Sequence, residues 1–270
     1  YVADFVINAV NFAGVIPANQ AITLNWKQDL PSQEGGIDDE RFNTSLHYYN
    51  NAKEADDLSS DKEKTIEAPL QWVSYKQKFF NTSLIASKEN FKTNAKISVV
   101  TPKESKDTVK TFTAQLQIPF NNSNAFSFPM RLYMGPNKYD ELKKMDVNLT
   151  EIVPLGWSIL SLINKFFIIP IFHFLSKFIS NYGIIILVLA VVIKLVTFPF
   201  TFKSTMSMVK MRVLKPEIDE LKKKYPSQAE FGQKQMELYS QTGVSPFGGC
   251  LPMLLQMPIL IAMYRFFPAS

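Results

Sequence analysis

Lys194 is the one charge inside an apolar run, Asn181 to Phe202, that reads NYGIIILVLAVVIKLVTFPFTF. Coiled as a helix, a run of about 20 residues crosses a hydrocarbon core of roughly 30 Å. An ammonium near the centre of such a span costs about 2.5–3.5 kcal/mol on insertion scales. Two arrangements relieve that cost. Phe202 is about 12 Å away along the axis, so the long lysine side chain can snorkel part of the distance to the interface. Alternatively, Lys194 faces water held between helices and presents a positive charge within the bilayer. Position alone leaves both open. A second polar group, Gln256, sits in the last apolar stretch, GVSPFGGCLPMLLQMPILIAMYRFF. There an amide can hydrogen-bond a neighbouring helix.

The elements that must position these groups divide by solvent. The 270 residues are 46% apolar and average to a mean hydropathy near zero, but the apolar residues concentrate after Gly156. The net charge of +5 gathers beside the membrane segment, which argues against nucleic acid as a direct partner. One cysteine, Cys250, excludes an intramolecular disulfide, and two histidines, His47 and His173, give a metal site little to build on. No metal or cofactor is expected. Tyr1 opens mid-strand in YVADFVINAV, and PILIAMYRFFPAS stops as a helix finishes. The chain is therefore expected to be incomplete at both ends.

Residues 1–153 alternate like strands. Phe112, Ala114, Leu116 and Ile118 share one face, as do Phe126, Phe128, Met130 and Leu132, then Ile22, Leu24 and Trp26, and Phe42, Thr44, Leu46 and Tyr48. Alternation with one wet face predicts an antiparallel β-sandwich. Core packing accounts for its aromatic residues. Asn50–Lys64, NNAKEADDLSSDKEK, reads as a solvated loop, and Pro136–Met145 as a short helix.

Residues 154–180 carry Trp157 at one end, with Asn164, Lys165, His173 and Lys177 among Phe and Ile, and Pro170 interrupting. An amphipathic helix lying in the membrane interface fits this pattern. Residues 181–202 form the first span. Residues 203–244 form a charged hairpin, with helices Lys203–Tyr225 and Ser227–Thr242 separated by Pro226. Residues 248–267 form a second span, bent by Gly248, Gly249, Pro252 and Pro258. Basic residues of the hairpin, Lys210, Arg212 and Lys215 among them, outnumber acidic ones such as Glu217. That excess keeps the hairpin cytoplasmic and the β-domain on the far side. The fold class is a multidomain membrane protein: an extracytoplasmic β-sandwich followed by an α-helical membrane domain.

Three stretches, NYGIIILVLAVVIKLVTFPFT, SMVKMRVLKPEIDELKKKY and VSPFGGCLPMLLQMPI, occur in that order. Together they resemble the YidC/Oxa1/Alb3 family of membrane protein insertases, in its bacterial form with a large periplasmic domain. WVSYKQKFF, YMGPNKYDEL and VPLGW resemble the periplasmic part. The resemblance implies the bacterial inner membrane, and a hydrophilic groove open to cytoplasm and lipid. Lys194 takes the family's basic position, usually Arg, and keeps the charge without the bidentate fork. Gln256 would line the groove, while Met257 and Leu260 match the slide for substrate helices. Lys210, Arg212, Lys215 and Glu217 fall in the receiving hairpin. Implied partners are nascent membrane proteins, the bilayer, the Sec translocon and the ribosome.

Other functions find less material. One Lys and one Gln are poor ligands for a channel or transporter subunit. No HExxH, GxSxG or paired catalytic carboxylates stand out for a periplasmic enzyme, so an enzyme is not expected. A sandwich acting as a scaffold for the export channel remains compatible with insertion.

Overall fold

The computed structural model describes residues 1–11, 17, 20–50, 52, 55–120, 125–156, 158–225, 227–243 and 251–266, with side chains except at 158, 159, 251–255, 265 and 266. The chain divides into two compact units, one over Tyr1–Pro154 and one over Leu155–Phe267.

The first unit is an antiparallel sandwich. Its six-stranded sheet runs β1(Val2–Val10), β10(Ala125–Pro136), β7(Phe80–Ala86), β6(Leu70–Lys76), β3(Ser45–Asn50), β4(Ala55–Leu58). Its four-stranded sheet runs β2(Ile22–Pro31), β9(Thr108–Ile118), β8(Ala95–Val100), β5(Lys62–Ile66). Phe112, Ala114, Leu116 and Ile118 on β9 are all fully buried, as a period-two strand against a shared core requires. The outer face of the larger sheet is covered by the segment after β10, which holds α2(Tyr139–Lys143) and a 3₁₀ turn at Leu149–Ile152. The Trp72 indole N–H donates to the Val147 carbonyl at 2.8 Å, and the Asn148 amide donates to the Tyr49 hydroxyl at 2.9 Å. Trp72 and Tyr49 stack with centroids 5.6 Å apart.

Two expectations for this unit are corrected. The polar stretch Asn50–Lys64 is no simple loop, because it holds β4 and the start of β5 and crosses from one sheet to the other. Its charged residues suit edge strands, which nature keeps charged against unwanted pairing, while Leu58 and Ile66 drive into the core at 6% exposure each. Phe42 and Thr44 do not extend β3 backwards. Residues Ile37–Asn43 form helix α1, on which Phe42 is 86% exposed. The acidic first turn, Asp38, Asp39 and Glu40, suits a helix N-terminus.

The second unit begins with α3(Ser158–Ile163), a π turn at Asn164–Ile168, and α4(Ile169–Ser176). Pro170 does not end this helix. It occupies the first turn of α4, directly after the π turn, where a wider backbone tolerates its missing N–H. Then α5(Tyr182–Val213) runs unbroken for 32 residues, about 48 Å. It is the one described helix long and apolar enough to cross a membrane. Residues 203–213 are thus the continuation of α5 and not the first hairpin helix. The break falls at Leu214, where Pro216 denies the helix a donor, and α6(Lys215–Lys224) follows. α7(Gln228–Thr242) ends on Gly243 at φ +63°, the left-handed closure for which glycine is best suited. The last element is α8(Leu251–Phe266), with 16 residues. Trp157, Gly248, Gly249 and Cys250 lie outside the described residues.

Candidate functional site

Asn181 starts α5 by accepting hydrogen bonds from the Gly183 and Ile184 amides at 2.9 and 3.4 Å, as an N-cap does. Below that cap, Ile185, Leu189, Ile193 and Thr197 recur every four residues as the buried stripe. Lys194 is one residue past Ile193, so it turns about 100° away from the stripe, and it is exposed. Around it Leu187, Ala190, Val191, Leu195 and Phe198 line a shallow concavity of about 360 Å³. Among the described residues the ammonium has no ion-pair or hydrogen-bond partner.

α8 packs against α3, the π turn and α5. Gln256 is half-buried on it. Met257 and Leu260, three residues apart on one helix face, are 45% and 61% exposed. No hydrogen bond joins Gln256 to Lys194 among the described residues. Lys210 and Arg212 sit in the last turn of α5, and Lys215 and Glu217 in the first of α6, all four exposed. Helix α5 thus presents one cation among a run of exposed apolar side chains. An Asn was missed as a structural group: Asn164, fully buried in the π turn, donates to the Leu155 carbonyl at 2.7 Å, while its own oxygen lacks a partner among the described residues. A polar residue on the buried side of an otherwise apolar helix was the available signal.

The β unit has a cleft of about 380 Å³, lined by Gln33, Glu34, Glu40, Gln77, Lys78, Phe79 and Phe80. Two of its charges, Glu40 and Lys78, are engaged internally. Glu40 accepts from Ser32 at 2.6 Å and from the Gln33 and Glu34 amides at 3.0 and 2.9 Å. Burial alone would raise its carboxyl, but these donors and Lys78 hold it below the ordinary value. Lys78 is bound to Asp39 at 2.6 Å. Among the described residues no group of His, Cys, Asp and Glu converges to hold a metal.

Comparison with known proteins completes the reading. Residues 17–172 match the family model of the YidC periplasmic domain, and residues 174–270 match that of the 60Kd inner membrane protein. The two matches define a class: an inner-membrane protein with a periplasmic domain. Among curated relatives, the membrane protein insertase YidC of Parabacteroides distasonis is 41% identical across 100% of this chain and 44% of its own length. That of Bacteroides fragilis is 38% identical across 100% of the chain and 45% of its length. That of Phocaeicola vulgatus is 35% identical across 99% of the chain and 45% of its length. This chain belongs to the YidC family. It spans less than half the length of these relatives, and none of them is named as a channel, a transporter or an export scaffold.

Proposed function

We propose that this chain is the part of a membrane protein insertase that receives nascent membrane proteins and passes their apolar segments into the bilayer, without catalysis of a chemical reaction. Residues 154–180 would lie in the interface, 181–202 and 248–267 would span, and 203–244 would face the cytoplasm. The observation that carries this reading is the exposed Lys194 ammonium in an apolar concavity on the one long apolar helix. A lone cation there, in the hydrophilic groove that this reading calls for, attracts the polar or acidic leading end of a substrate. Gln256 contributes an amide to the same polar path. Met257 and Leu260 offer apolar surface along which a substrate helix slides, and methionine adapts to many shapes. Burial of the substrate's apolar segment in lipid completes the transfer. The Sec translocon and the ribosome are the partners this reading calls for, the latter at the exposed Lys210, Arg212, Lys215 and Glu217.

The test is insertion of a small single-span substrate with an acidic tail into vesicles holding the full-length protein, wild type against Lys194→Ala, Lys194→Arg and Lys194→Glu. Arg is expected to retain insertion, while Ala and Glu lose it at normal protein levels. Equal insertion by all four would sink the charge-attraction mechanism and leave Lys194 as a snorkelling residue.

A further inference from the structure

Pro199 lies inside α5, four residues after Leu195. A helical carbonyl accepts from the amide four positions on, and proline has no N–H, so the Leu195 carbonyl loses its regular α-helical donor. Membrane helices restore such a carbonyl with a Ser or Thr hydroxyl, a water or a neighbouring helix. A helical Ser or Thr reaches the carbonyl three or four residues before it, and the positions that would serve Leu195 are Phe198 and Pro199, so the hydroxyls of α5 bond elsewhere. Thr197 donates to the Ile193 carbonyl at 2.9 Å and to the Lys194 carbonyl at 3.3 Å. Thr201 donates to Thr197 at 3.0 Å, and Thr205 to Thr201 at 2.9 Å. Among the described residues no side chain donates to the Leu195 carbonyl. Pro199 is exposed, as are Lys194, Leu195 and Phe198, so the freed acceptor opens on the outer side of the helix, away from the buried stripe of Ile193 and Thr197.

We propose that the Lys194 ammonium and the Leu195 carbonyl work as a donor and an acceptor within about one helical turn of each other, and that together they engage main-chain peptide groups of the inserting polypeptide. The proposal rests on the insertase reading and deepens it. A carboxylate satisfies only the ammonium. An extended residue satisfies both groups, since its own C=O and N–H face the same side, the carbonyl toward Lys194 and the N–H toward Leu195, whatever side chain it carries. The apolar walls of the concavity, Leu187, Val191 and Phe198, then receive that side chain. Such a site recognises polypeptide as polypeptide, which suits a path that must pass many sequences.

Two changes test it in vesicles holding the full-length protein. Pro199→Ala and Pro199→Gly both return an N–H to the Leu195 carbonyl, one favouring a straight helix and the other a flexible one. A series of substrates carries single backbone esters in place of amides through the leading half of the apolar segment, each removing one N–H. With wild type, at least one ester position is expected to slow insertion about fivefold, the size of one hydrogen bond. Both Pro199 variants are expected to slow the all-amide substrate by a similar factor and to show no further loss with that ester. Losses that multiply, a loss in Ala but not Gly, or no loss at any ester position would overturn the proposal while leaving the insertase reading standing. Failure of wild type to insert the all-amide substrate would remove both. Equal slowing by the Pro199 variants with no ester effect would assign the acceptor to water, and would also overturn it.

Discussion

The β unit and the helical unit bury different things. In the β unit, most polar groups that leave solvent find partners, the Thr44 hydroxyl being an exception among the described residues. Ser83 donates to Ser74 at 2.7 Å or to Asn81 at 2.6 Å, Asn81 donates to Asn137 at 2.9 Å, and the Lys110 ammonium caps the Thr44 and Ser59 carbonyls at 2.7 and 2.6 Å. In the helical unit, large apolar side chains stand outside. Leu187, Leu195 and Phe198 are 65%, 68% and 62% exposed. The first pattern is a fold whose surrounding solvent is water, where an unpaired buried polar group is expensive. The second is a fold whose surrounding solvent is lipid, where an exposed leucine gives up nothing. One difference of solvent explains both, and Lys194, the cation among those exposed apolar side chains, is the group that does not fit its solvent.

The comparison breaks or holds first on a pair of large-to-small substitutions. Trp72 is fully buried and hydrogen-bonded, so Trp72→Ala is expected to cost about 3–5 kcal/mol. Phe198→Ala removes comparable apolar surface from a residue already outside, and in bilayers it is expected to cost under about 1 kcal/mol. Denaturant titration of the vesicle-borne protein, followed by near-ultraviolet circular dichroism for the β unit and by protease access for the helices, measures both. Equal losses would mean that Phe198 is covered by protein, and the lipid account of that face would fail.

How far these units were legible depends on how much of each signal is local. β9 could be read because its alternation is strict from Phe112 to Ile118 and both neighbours reinforce it. β4 could not, because Ala55–Leu58 contributes a single buried residue, Leu58, and the rest of its pattern is the chemistry of an exposed edge. Phe42 misled for the reverse reason: an aromatic at the right spacing belongs to a helix whose signal is three acids in a row. The membrane helix was legible from length and hydropathy, but its end was not. Lys203 marks where the apolar run stops, whereas the helix stops where Pro216 removes a donor. The exposure of Lys194 needed the structure, since it is set by which neighbours the stripe of Ile185, Leu189 and Ile193 packs against. The role of Pro199 needed the hydroxyl bonds, which no spacing rule assigns.

A second test asks whether the water-solvated unit behaves as one. His47 lies between β4 and β6, opposite Asp57 and Ser74, with its ring 2.8 Å from the Ser45 hydroxyl. Desolvation, and then the nearby Lys76 charge, push its pKa down from 6.5 to about 3. Between those values the unfolded chain takes up a proton that the folded chain refuses, so stability falls as pH falls, by about 1.4 kcal/mol per pH unit. Above pH 6.5 the group contributes no slope. At pH 5 the accumulated loss is about 2 kcal/mol. His47→Gln is expected to flatten that part of the wild-type profile while keeping a partner for Ser45. An unchanged slope would place the acid sensitivity in the carboxylates instead.

The smallest effect falls at the junction the sequence least revealed. Lys64 on β5 donates to Asp56 on β4 at 2.7 Å and to the Tyr48 hydroxyl at 2.6 Å, so one exposed cluster ties the edge of one sheet to the edge of the other. The bonds from Lys64 and Tyr48 hold the Asp56 carboxyl down, to about 2. Its contribution is therefore present above pH 3.8 and lost as pH falls through 2. Yet the Lys64 and Asp56 side chains are 39% and 52% exposed, and water and salt screen such pairs. A double-mutant cycle of Lys64→Met and Asp56→Asn is expected to give a coupling under about 1 kcal/mol that shrinks further in molar salt. Leu58→Ala, two residues beyond Asp56 on the same crossing, is expected to cost about 2–5 kcal/mol. If the cycle returned the larger number, the crossing would be held by charge and not by its two apolar anchors, and the β unit would owe less to burial than its core implies.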